Sequence, residues 1–348
     1  MRSFTTFIAL WQHRYRKYSY IFLTYCKAYM TIIRFWFLKK QKNKNVVVII
    51  RTEHFGDIVA AEPIARQVRR LHPSDYLIWL VKPAFASLVE THPNLDAVWQ
   101  QTSVLHRKIV CQSGVFDKVY NLEFWQSNFD TRSGYVHENP VAVKNGVTIH
   151  NYFDKGNLLT IFQLCADLPV QDEEPRVYVS ETDRQLVADL ALPQPLVVIH
   201  CSSNFSPKDW SKDNWEKVCR WLIDKKGFYV AEIGLKNVVE IKSSNYLNLC
   251  GRFTILQTAE IIRHAQLYIG IDSGPAHLAN AVGTFGIILL GKLNDFETYQ
   301  PYSGKYLHSN HARLLSQPPK TCAELPYDWV QNEVEKILLD ISVKAAHL

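Results

Sequence analysis

From residue 46 onward, short runs of β-branched and apolar residues alternate with longer stretches of helical periodicity. Chains with this alternation fold into α/β layers, in which helices cover a largely parallel sheet. A first set of runs lies at 46–50, 76–81, 96–99 and 116–122, and a second at 196–200, 228–234, 246–250, 267–271 and 285–291. The pattern predicts two Rossmann-like domains facing across a cleft, and a chain of 348 residues is long enough for two separate cores.

A mixed region separates the two sets and ends in the Pro-marked stretch ALPQP at 191–195, which we interpret as the linker. The predicted divisions are an N-terminal segment, 1–45, an N-terminal Rossmann-like domain, 46–190, and a C-terminal Rossmann-like domain, 191–348. Ligands of such sheets bind beyond the carboxyl ends of the strands. The loops that follow the strands are therefore the places to search for chemistry.

Charge is distributed unevenly along the chain. Residues 1–45 hold ten basic residues and no acidic one, whereas the remainder has 29 basic and 33 acidic residues, a net charge of −4. A nucleic-acid-binding body would carry a basic face on its folded part, so we expect no nucleic-acid partner. The seven cysteines are scattered and never spaced as C-x-x-C. They indicate neither a disulfide framework nor a zinc site, and they favour the cytosol.

The N-terminal segment, 1–45, has two faces when it is plotted as a helix. Polar and basic residues recur on one face, and the other carries Phe22, Cys26, Tyr29, Ile33 and Phe37. Lys27 and Arg34 would each cost roughly 2.5–3.5 kcal/mol inside a bilayer, which disfavours a membrane span. The segment therefore predicts a basic amphipathic helix that lies on an anionic membrane surface. The open alternative is a helix packed on the protein body, or an unstructured leader.

The first strand runs into a loop that contains His54, Phe55, Gly56 and Asp57. An acidic residue next to glycine at a strand-to-helix turn is well placed to face a ligand, because glycine permits close approach to the backbone. The alternative makes Asp57 a helix N-cap. No G-x-G-x-x-G follows this strand, which weakens any interpretation as a dehydrogenase.

A second candidate loop follows the run at 267–271 and reads DSGPAHL over 272–278. Pro275 marks the start of a helix and Gly283 its end. The free N–H groups of the opening turn, with the Ser273 hydroxyl and the His277 imidazole, predict a phosphate or diphosphate site. A capped helix with a structural histidine is the alternative.

A third loop carries Lys208 between Phe205 and Trp210, after the strand that ends at His200. A single lysine is usually solvated surface. Its place at a strand end makes Lys208 a candidate for the second cation that a nucleotide diphosphate needs.

Taken together and in this order, the three loops resemble glycosyltransferase family 9, the ADP-heptose:lipopolysaccharide heptosyltransferases and their relatives. The similarity rests on Gly56-Asp57, on His200 before Lys208-x-Trp210, on the block 272–279, and on NDFETYQPYSG at 294–304. It covers roughly residues 46–305. The resemblance implies a GT-B fold, a nucleotide-diphosphate sugar as donor, inversion of the anomeric centre, and no metal or other cofactor.

The resemblance also implies a role for each matching residue. Asp57 would be the general base on the acceptor hydroxyl, with Gly56 and His54 on the acceptor side, and Lys208 would neutralise the departing diphosphate. Its phosphates would be held by Ser273, Gly274, Pro275 and His277, with Asp272 close to the sugar and Glu240 as a candidate ribose-binding acid. Base and cationic loop are expected to come from opposing domains. His54-Phe55 departs from the family, in which small residues are usual there.

These implications predict an inverting glycosyltransferase that moves heptose or a related sugar to a lipopolysaccharide-core or related glycan acceptor. We expect it in the cytoplasm, peripherally associated with the inner face of the cytoplasmic membrane through residues 1–45. Two alternatives stay open. One is a nucleotide-sugar epimerase of similar fold, and the other is a degenerate nucleotide-sugar-binding or scaffolding protein.

Overall fold

The computed structural model describes residues 4–124, 139–293, 296, 299–307 and 311–346, with side chains described from residue 9 to residue 339 of these. The chain forms two compact units. The first unit comprises Met1–Glu53, Ile64–Ile149 and Phe162–Val170, and the second comprises His54–Pro63, His150–Ile161 and Gln171–Leu348. Three segments of the predicted N-terminal domain, 54–63, 150–161 and 171–190, therefore group with the second unit.

The strands in the described part of the chain are β1 (Val46–Ile50), β2 (Tyr76–Val81), β3 (Ala97–Gln100), β4 (Lys118–Asn121), β5 (Leu196–His200), β6 (Tyr229–Glu232), β7 (Tyr246–Asn248), β8 (Leu267–Ile271), β9 (Gly286–Leu289) and β10 (Ala312–Leu315). All nine predicted strand regions are confirmed. The sequence pattern missed β10, a short edge strand.

The α-helices in the same residues are α1 (Phe4–Lys42), α2 (Phe55–Ala60), α3 (Glu62–Leu71), α4 (Ser87–Glu90), α5 (Val104–Gln112), α6 (Pro140–Lys144), α7 (Leu158–Cys165), α8 (Glu181–Ala188), α9 (Lys212–Asp224), α10 (Ile255–Arg263), α11 (Gly274–Val282) and α12 (Tyr327–Ala346). The helix predicted after β1 is present as the consecutive helices α2 and α3.

Each unit is built on one parallel sheet. The first has the order β3-β2-β1-β4 and the second β10-β9-β8-β5-β6-β7. The five residues of β1, of β5 and of β8 are all buried, because helices cover both faces of a parallel sheet and leave no solvated side. The predicted α/β class with parallel sheets is confirmed.

The helix α1 confirms the predicted N-terminal helix and packs one side against the first unit. Ala28 and Phe35 are buried there, and the Phe35 ring contacts Trp99 and Phe116 at centroid distances of 5.3 and 5.0 Å. The opposite side of α1 is exposed. In the described residues one helical stretch, Ala9–Lys42, is long and apolar enough to cross a membrane by length and composition. The alternative of a helix packed on the protein body is therefore correct for one side of α1.

Candidate functional site

The candidate site of the second unit is built around the N-terminus of α11. Ser273 is the N-cap residue, with extended backbone angles, and Pro275 occupies the first turn, where the missing proline N–H is no loss. Gly283 ends the helix in the left-handed conformation at φ 80°. The predicted start and end of this helix are confirmed. In its opening turn Pro275 has no N–H and the Ala276 N–H donates to the Ser273 carbonyl at 3.1 Å, so the Gly274 N–H and the helix dipole are what the turn offers to an anion.

Two glycines allow α2 to approach this helix start. A Cβ atom on Gly274 would lie 2.0 Å from Cζ of Phe55, and one on Gly56 would lie 2.9 Å from Cδ2 of His277. Both distances are well below the ~3.5 Å of an ordinary carbon–carbon contact. The Phe55 ring therefore fills the space over Gly274, and this contact places the first turn of α2 beside α11.

Asp57 lies in that first turn, and the N-cap position of α2 belongs to His54, three residues earlier. The alternative that made Asp57 the N-cap is therefore not what the structure shows. His54 has φ 58°, in the left-handed region that non-glycine residues rarely adopt, and its Nδ1 lies 3.9 Å from Oδ2 of Asp57. The Asp57 side chain is 25% exposed, so its carboxylate is accessible to a substrate. Asp57 and Lys208 belong to the same compact unit, which differs from the expectation of opposing domains.

Lys208 ends a short 3₁₀ turn, Ser206–Lys208, in the loop after β5. Its Nζ atom donates to Oδ2 of Asp272 at 2.5 Å and to the hydroxyl of Tyr299 at 2.8 Å. The next residue but one, Trp210, anchors the loop because its indole Nε1 donates to the Leu325 carbonyl at 2.8 Å. Lys208 thus lies at the start of α11, as the sequence predicted, but as half of an ion pair.

The carboxylate of Asp272 is 4% exposed and accepts hydrogen bonds from Lys208, Tyr299 and Tyr302, the last at 2.7 Å. Burial by itself would raise the pKa of this carboxyl. The charges of Lys208 and His277, with the hydrogen bonds from Lys208 and Tyr302, outweigh burial and hold the Asp272 pKa below its ordinary value. Asp272 is therefore ionised at neutral pH and fixes the position of the Lys208 ammonium group.

His277 is buried one turn into α11, and its ring packs on that of Tyr302 at a centroid distance of 4.7 Å. Burial lowers the pKa of His277, and Lys208 lowers it further, although the carboxylates of Asp272 and Asp57 act in the opposite direction. The imidazole is neutral at pH 7. It can donate one N–H to a phosphate oxygen, and the positive charge of this site comes from Lys208 and the helix terminus.

The Ser273 hydroxyl lies between two groups at the carboxyl edge of the sheet. Its Oγ is 3.0 Å from Nδ1 of His200 and 3.2 Å from the carbonyl oxygen of Ile271. Burial lowers the pKa of His200 to about 4, so this ring is uncharged at neutral pH. In the sequence analysis His200 was part of the family motif and was given no role. The structure shows it as the side chain that orients Ser273.

Three tyrosines at this site carried no predicted role. Tyr299 and Tyr302 bind Asp272, and the Tyr152 ring contacts the rings of Phe153 and Phe296 at centroid distances of 4.5 and 4.7 Å. Burial raises the pKa of Tyr152; Lys208 acts against this, and Asp57 and Asp272 add to it. The phenol is thus within electrostatic reach of all three groups. The QPYSG stretch at 300–304 pointed to Tyr302, whereas nothing in the sequence pointed to Tyr152.

The described contacts of Glu240 are with residues of α9 and not with the residues around the start of α11. Its side chain is 74% exposed and pairs with Lys212 of α9 at 2.8 Å, and its backbone N–H donates to Glu216. The acid that organises the loop after β6 is Glu232, which is buried and accepts from the N–H groups of Val238 and Val239 at 2.6 and 3.1 Å. The ribose-binding role of Glu240 stays a prediction.

Residues 294, 295, 297 and 298, including the aspartate of the NDFETYQPYSG stretch, lie outside the described residues. Among those that are described, no group of three or more His, Cys, Asp or Glu side chains is arranged to hold a metal ion.

The family model described as glycosyltransferase family 9 (heptosyltransferase) matches residues 153–327, which is half of the chain. The chain belongs to glycosyltransferase family 9, as the sequence motifs indicated.

Two curated relatives are heptosyltransferases. Lipopolysaccharide heptosyltransferase 1 of Campylobacter coli is 21% identical over 70% of this chain and 83% of its own length. Lipopolysaccharide heptosyltransferase 3 of Escherichia coli is 42% identical, but over only 59 residues, which are 17% of each chain.

Solved structures show the same fold. A family 9 glycosyltransferase from Veillonella parvula superposes with a TM-score of 0.63 at 17% identity, over 85% of this chain and 97% of that one. The ADP-heptose lipopolysaccharide heptosyltransferase II of E. coli gives a TM-score of 0.59 at 16% identity, over 85% and 99%. The predicted fold class is confirmed.

Proposed function

We propose that this protein is an inverting glycosyltransferase that transfers heptose, or a related sugar, from a nucleotide-diphosphate donor to a lipopolysaccharide-core or related glycan acceptor. Family membership and the heptosyltransferase relatives support the reaction class. Among the features of the structure, the observation that carries the proposal is the convergence of Asp57, Lys208 and the start of α11 within one compact unit.

Departure of the nucleotide diphosphate requires stabilisation of negative charge. In this proposal the Gly274 N–H at the start of α11 and the neutral imidazole of His277 donate to the phosphates, while Lys208 provides the positive charge. Asp272 keeps the Lys208 ammonium at the helix start before the donor arrives. The proposal includes no metal ion and no other cofactor, as the family resemblance implies.

Attack on the anomeric carbon requires removal of a proton from the acceptor hydroxyl. The partly exposed Asp57 carboxylate is the proposed general base, held beside α11 by the contact between Phe55 and Gly274. Gly56 and His54 flank it on the acceptor side. The strained backbone of His54 is consistent with a functional turn.

The acceptor of such an enzyme is a glycolipid or glycan that is assembled at a membrane. We therefore place the protein in the cytoplasm, peripherally bound to the inner face of the cytoplasmic membrane, with residues 1–45 as the contact. The exposed apolar side of α1 and its basic residues support this placement.

Calorimetry with ADP, UDP and GDP tests the donor site. We expect Lys208→Ala and His277→Ala each to weaken binding of the preferred nucleotide diphosphate about tenfold or more, the scale of a charge-assisted hydrogen bond. Lys217→Ala is the matched control, because Lys217 is exposed on α9 and near the Tyr327 ring. Unchanged affinity in both site variants, with folding intact, would refute the assignment. Intact donor binding with no transfer to any acceptor would favour the nucleotide-sugar-binding alternative.

A further inference from the structure

The solvent-facing side of α1 carries a continuous apolar band, here called the outer stripe. Five of its members are between 46% and 74% exposed and recur at steps of four and seven residues, namely Trp11, Tyr15, Phe22, Tyr29 and Trp36. Such steps return to one side of a helix. Trp and Tyr rings are enriched at the headgroup level of bilayers, where their polar edges remain hydrated. The outer stripe is thus suited to a lipid interface.

A cleft with a cavity volume of about 110 Å³ lies beside this helix, within the first unit, between α1 and the N-terminus of α5. Its lining includes Tyr20, Thr24 and Lys27 of α1, and Thr102, Ser103 and His106 at the start of α5. This volume is below the roughly 300–1,000 Å³ of sites for drug-sized ligands, so the cleft is suited to a small group. The lining offers hydroxyl groups and one ammonium group.

The cleft has a positive end. Ser103 is the N-cap of the nine-residue helix α5, and its Oγ accepts from the His106 backbone N–H at 3.1 Å. The remaining N–H groups of that turn and the helix dipole favour an anion. Lys27 adds a full positive charge. No acidic residue precedes Glu53 in the chain, so α1 itself has no carboxylate to neutralise Lys27.

His106 supplies an independent indication of a ligand. It is 2% exposed, it lines the cleft, and its Nδ1 atom has no hydrogen-bond partner among the residues that the structure describes. Its Nε2 lies 3.0 Å from the Thr31 hydroxyl, which itself donates to the Lys27 carbonyl at 2.9 Å. Nε2 therefore carries the ring proton in the neutral state, and Nδ1 is left with an unpaired lone pair.

An anion in the cleft would give His106 Nδ1 a hydrogen-bond partner. Burial lowers the pKa of His106 and the Lys27 charge lowers it further, against a raising effect of the Lys27 backbone, so the ring is neutral without a ligand. A bound phosphate favours the imidazolium form. His106 would then take up a proton at Nδ1 and donate that N–H to a phosphate oxygen.

We propose that the α1–α5 cleft binds the phosphate of an anionic phospholipid headgroup. Lys27 shares its side of α1 with Arg16 and Arg34, at steps of eleven and seven residues, so this flank matches an anionic surface. A second copy of the chain would bring two basic helices together. The inference extends the membrane contact proposed above, and its test does not depend on glycosyl transfer.

The first arm of the test uses soluble headgroup. Histidine-selective ¹⁵N NMR of the full-length protein is recorded during titration with sn-glycerol 1-phosphate, and His106 is assigned with His106→Gln. We expect the His106 Nδ1 resonance to move to the range of a protonated nitrogen. Lys27→Gln and Thr102→Val each should weaken this binding about tenfold, whereas Lys42→Gln, an equal loss of charge on α1 away from the cleft, should not. An unmoved His106 resonance would overturn the proposed site.

The second arm uses sedimentation with vesicles of phosphatidylglycerol or of phosphatidylcholine. We expect the protein to pellet with phosphatidylglycerol, and Lys27→Gln to reduce this binding more than Lys42→Gln. Equal losses in the two variants would show general charge attraction and overturn the site. Binding of the soluble phosphate without binding to phosphatidylglycerol vesicles would refute a lipid as its source. Dimers without vesicle binding would assign the outer stripe to a second copy of the chain.

Discussion

Replacement of Gly274 by alanine tests how α2 is positioned against α11. The new Cβ would lie 2.0 Å from Cζ of Phe55, about 1.5 Å inside the ~3.5 Å of a normal contact. Gly274 has no positive φ and begins a helix, so alanine carries no conformational penalty there. Only the collision with Phe55 opposes the substitution. We expect Gly274→Ala to lower the free energy of unfolding by about 1–3 kcal/mol, the usual cost of overpacking.

A double-mutant cycle isolates that contact. Phe55→Ala removes the ring, so Gly274→Ala in the Phe55→Ala background should cost less than about 0.5 kcal/mol, the range of neutral substitutions. Urea unfolding of the four proteins measures the coupling. Catalytic turnover provides a second readout. Displacement of the Phe55 ring should also move Asp57, which follows Phe55 by two residues. If Gly274→Ala is equally destabilising with and without the Phe55 ring, the proposed packing of α2 on α11 is refuted.

Two further predictions concern His200 and α1. The pKa of His200 is about 4 when folded and ~6.5 when unfolded, so the unfolded state binds more protons between these values and stability falls as the pH is lowered from 6.5 to 4. His200 accounts for up to about 3 kcal/mol of this loss in the free energy of unfolding. In the His200→Gln variant, the free energy of unfolding should therefore depend less steeply on pH between 6.5 and 4. An unchanged pH dependence in this variant would contradict a buried, neutral His200. Removal of residues 1–44 takes Ala28 and Phe35 out of the core of the first unit. The truncated protein should therefore have a lower melting temperature, and its Trp99 side chain should be more exposed. Equal melting temperatures would show that α1 does not stabilise this unit.

The sequence pattern predicted the two parallel sheets because the central strands of a buried sheet read as apolar runs, whereas the short edge strand β10 was missed. The run LVVIH became β5 and LYIGI became β8, both completely buried. Pro275 and Gly283 likewise predicted both ends of α11, since each has a local conformational reason. These are features that neighbouring residues determine.

The remaining features of the site depend on contacts between residues far apart in the chain. Tyr299 and Tyr302 reach Asp272 from 27 and 30 positions away, and although both lie in the NDFETYQPYSG stretch, the sequence did not show that they bind this carboxylate. The segment with Asp57 groups with the second unit because Gly56 and Gly274 allow close packing of α2 on α11. For the same reason the partners of the inner side of α1, Trp99 and Phe116, were not predicted, although packing on the protein body was an open alternative.

The central claim is sugar transfer with Asp57 as the general base, and the Asp57→Asn variant tests it directly. Mass spectrometry of the acceptor, supplied with a nucleotide-diphosphate heptose and a lipopolysaccharide-core fragment, measures the transfer, and calorimetry measures donor binding. The account predicts transfer by the wild-type protein, equal donor affinity in the variant, and turnover lower by ~10² or more. Wild-type turnover in Asp57→Asn would contradict the role of Asp57 and direct the search for the base to Glu53 and His54.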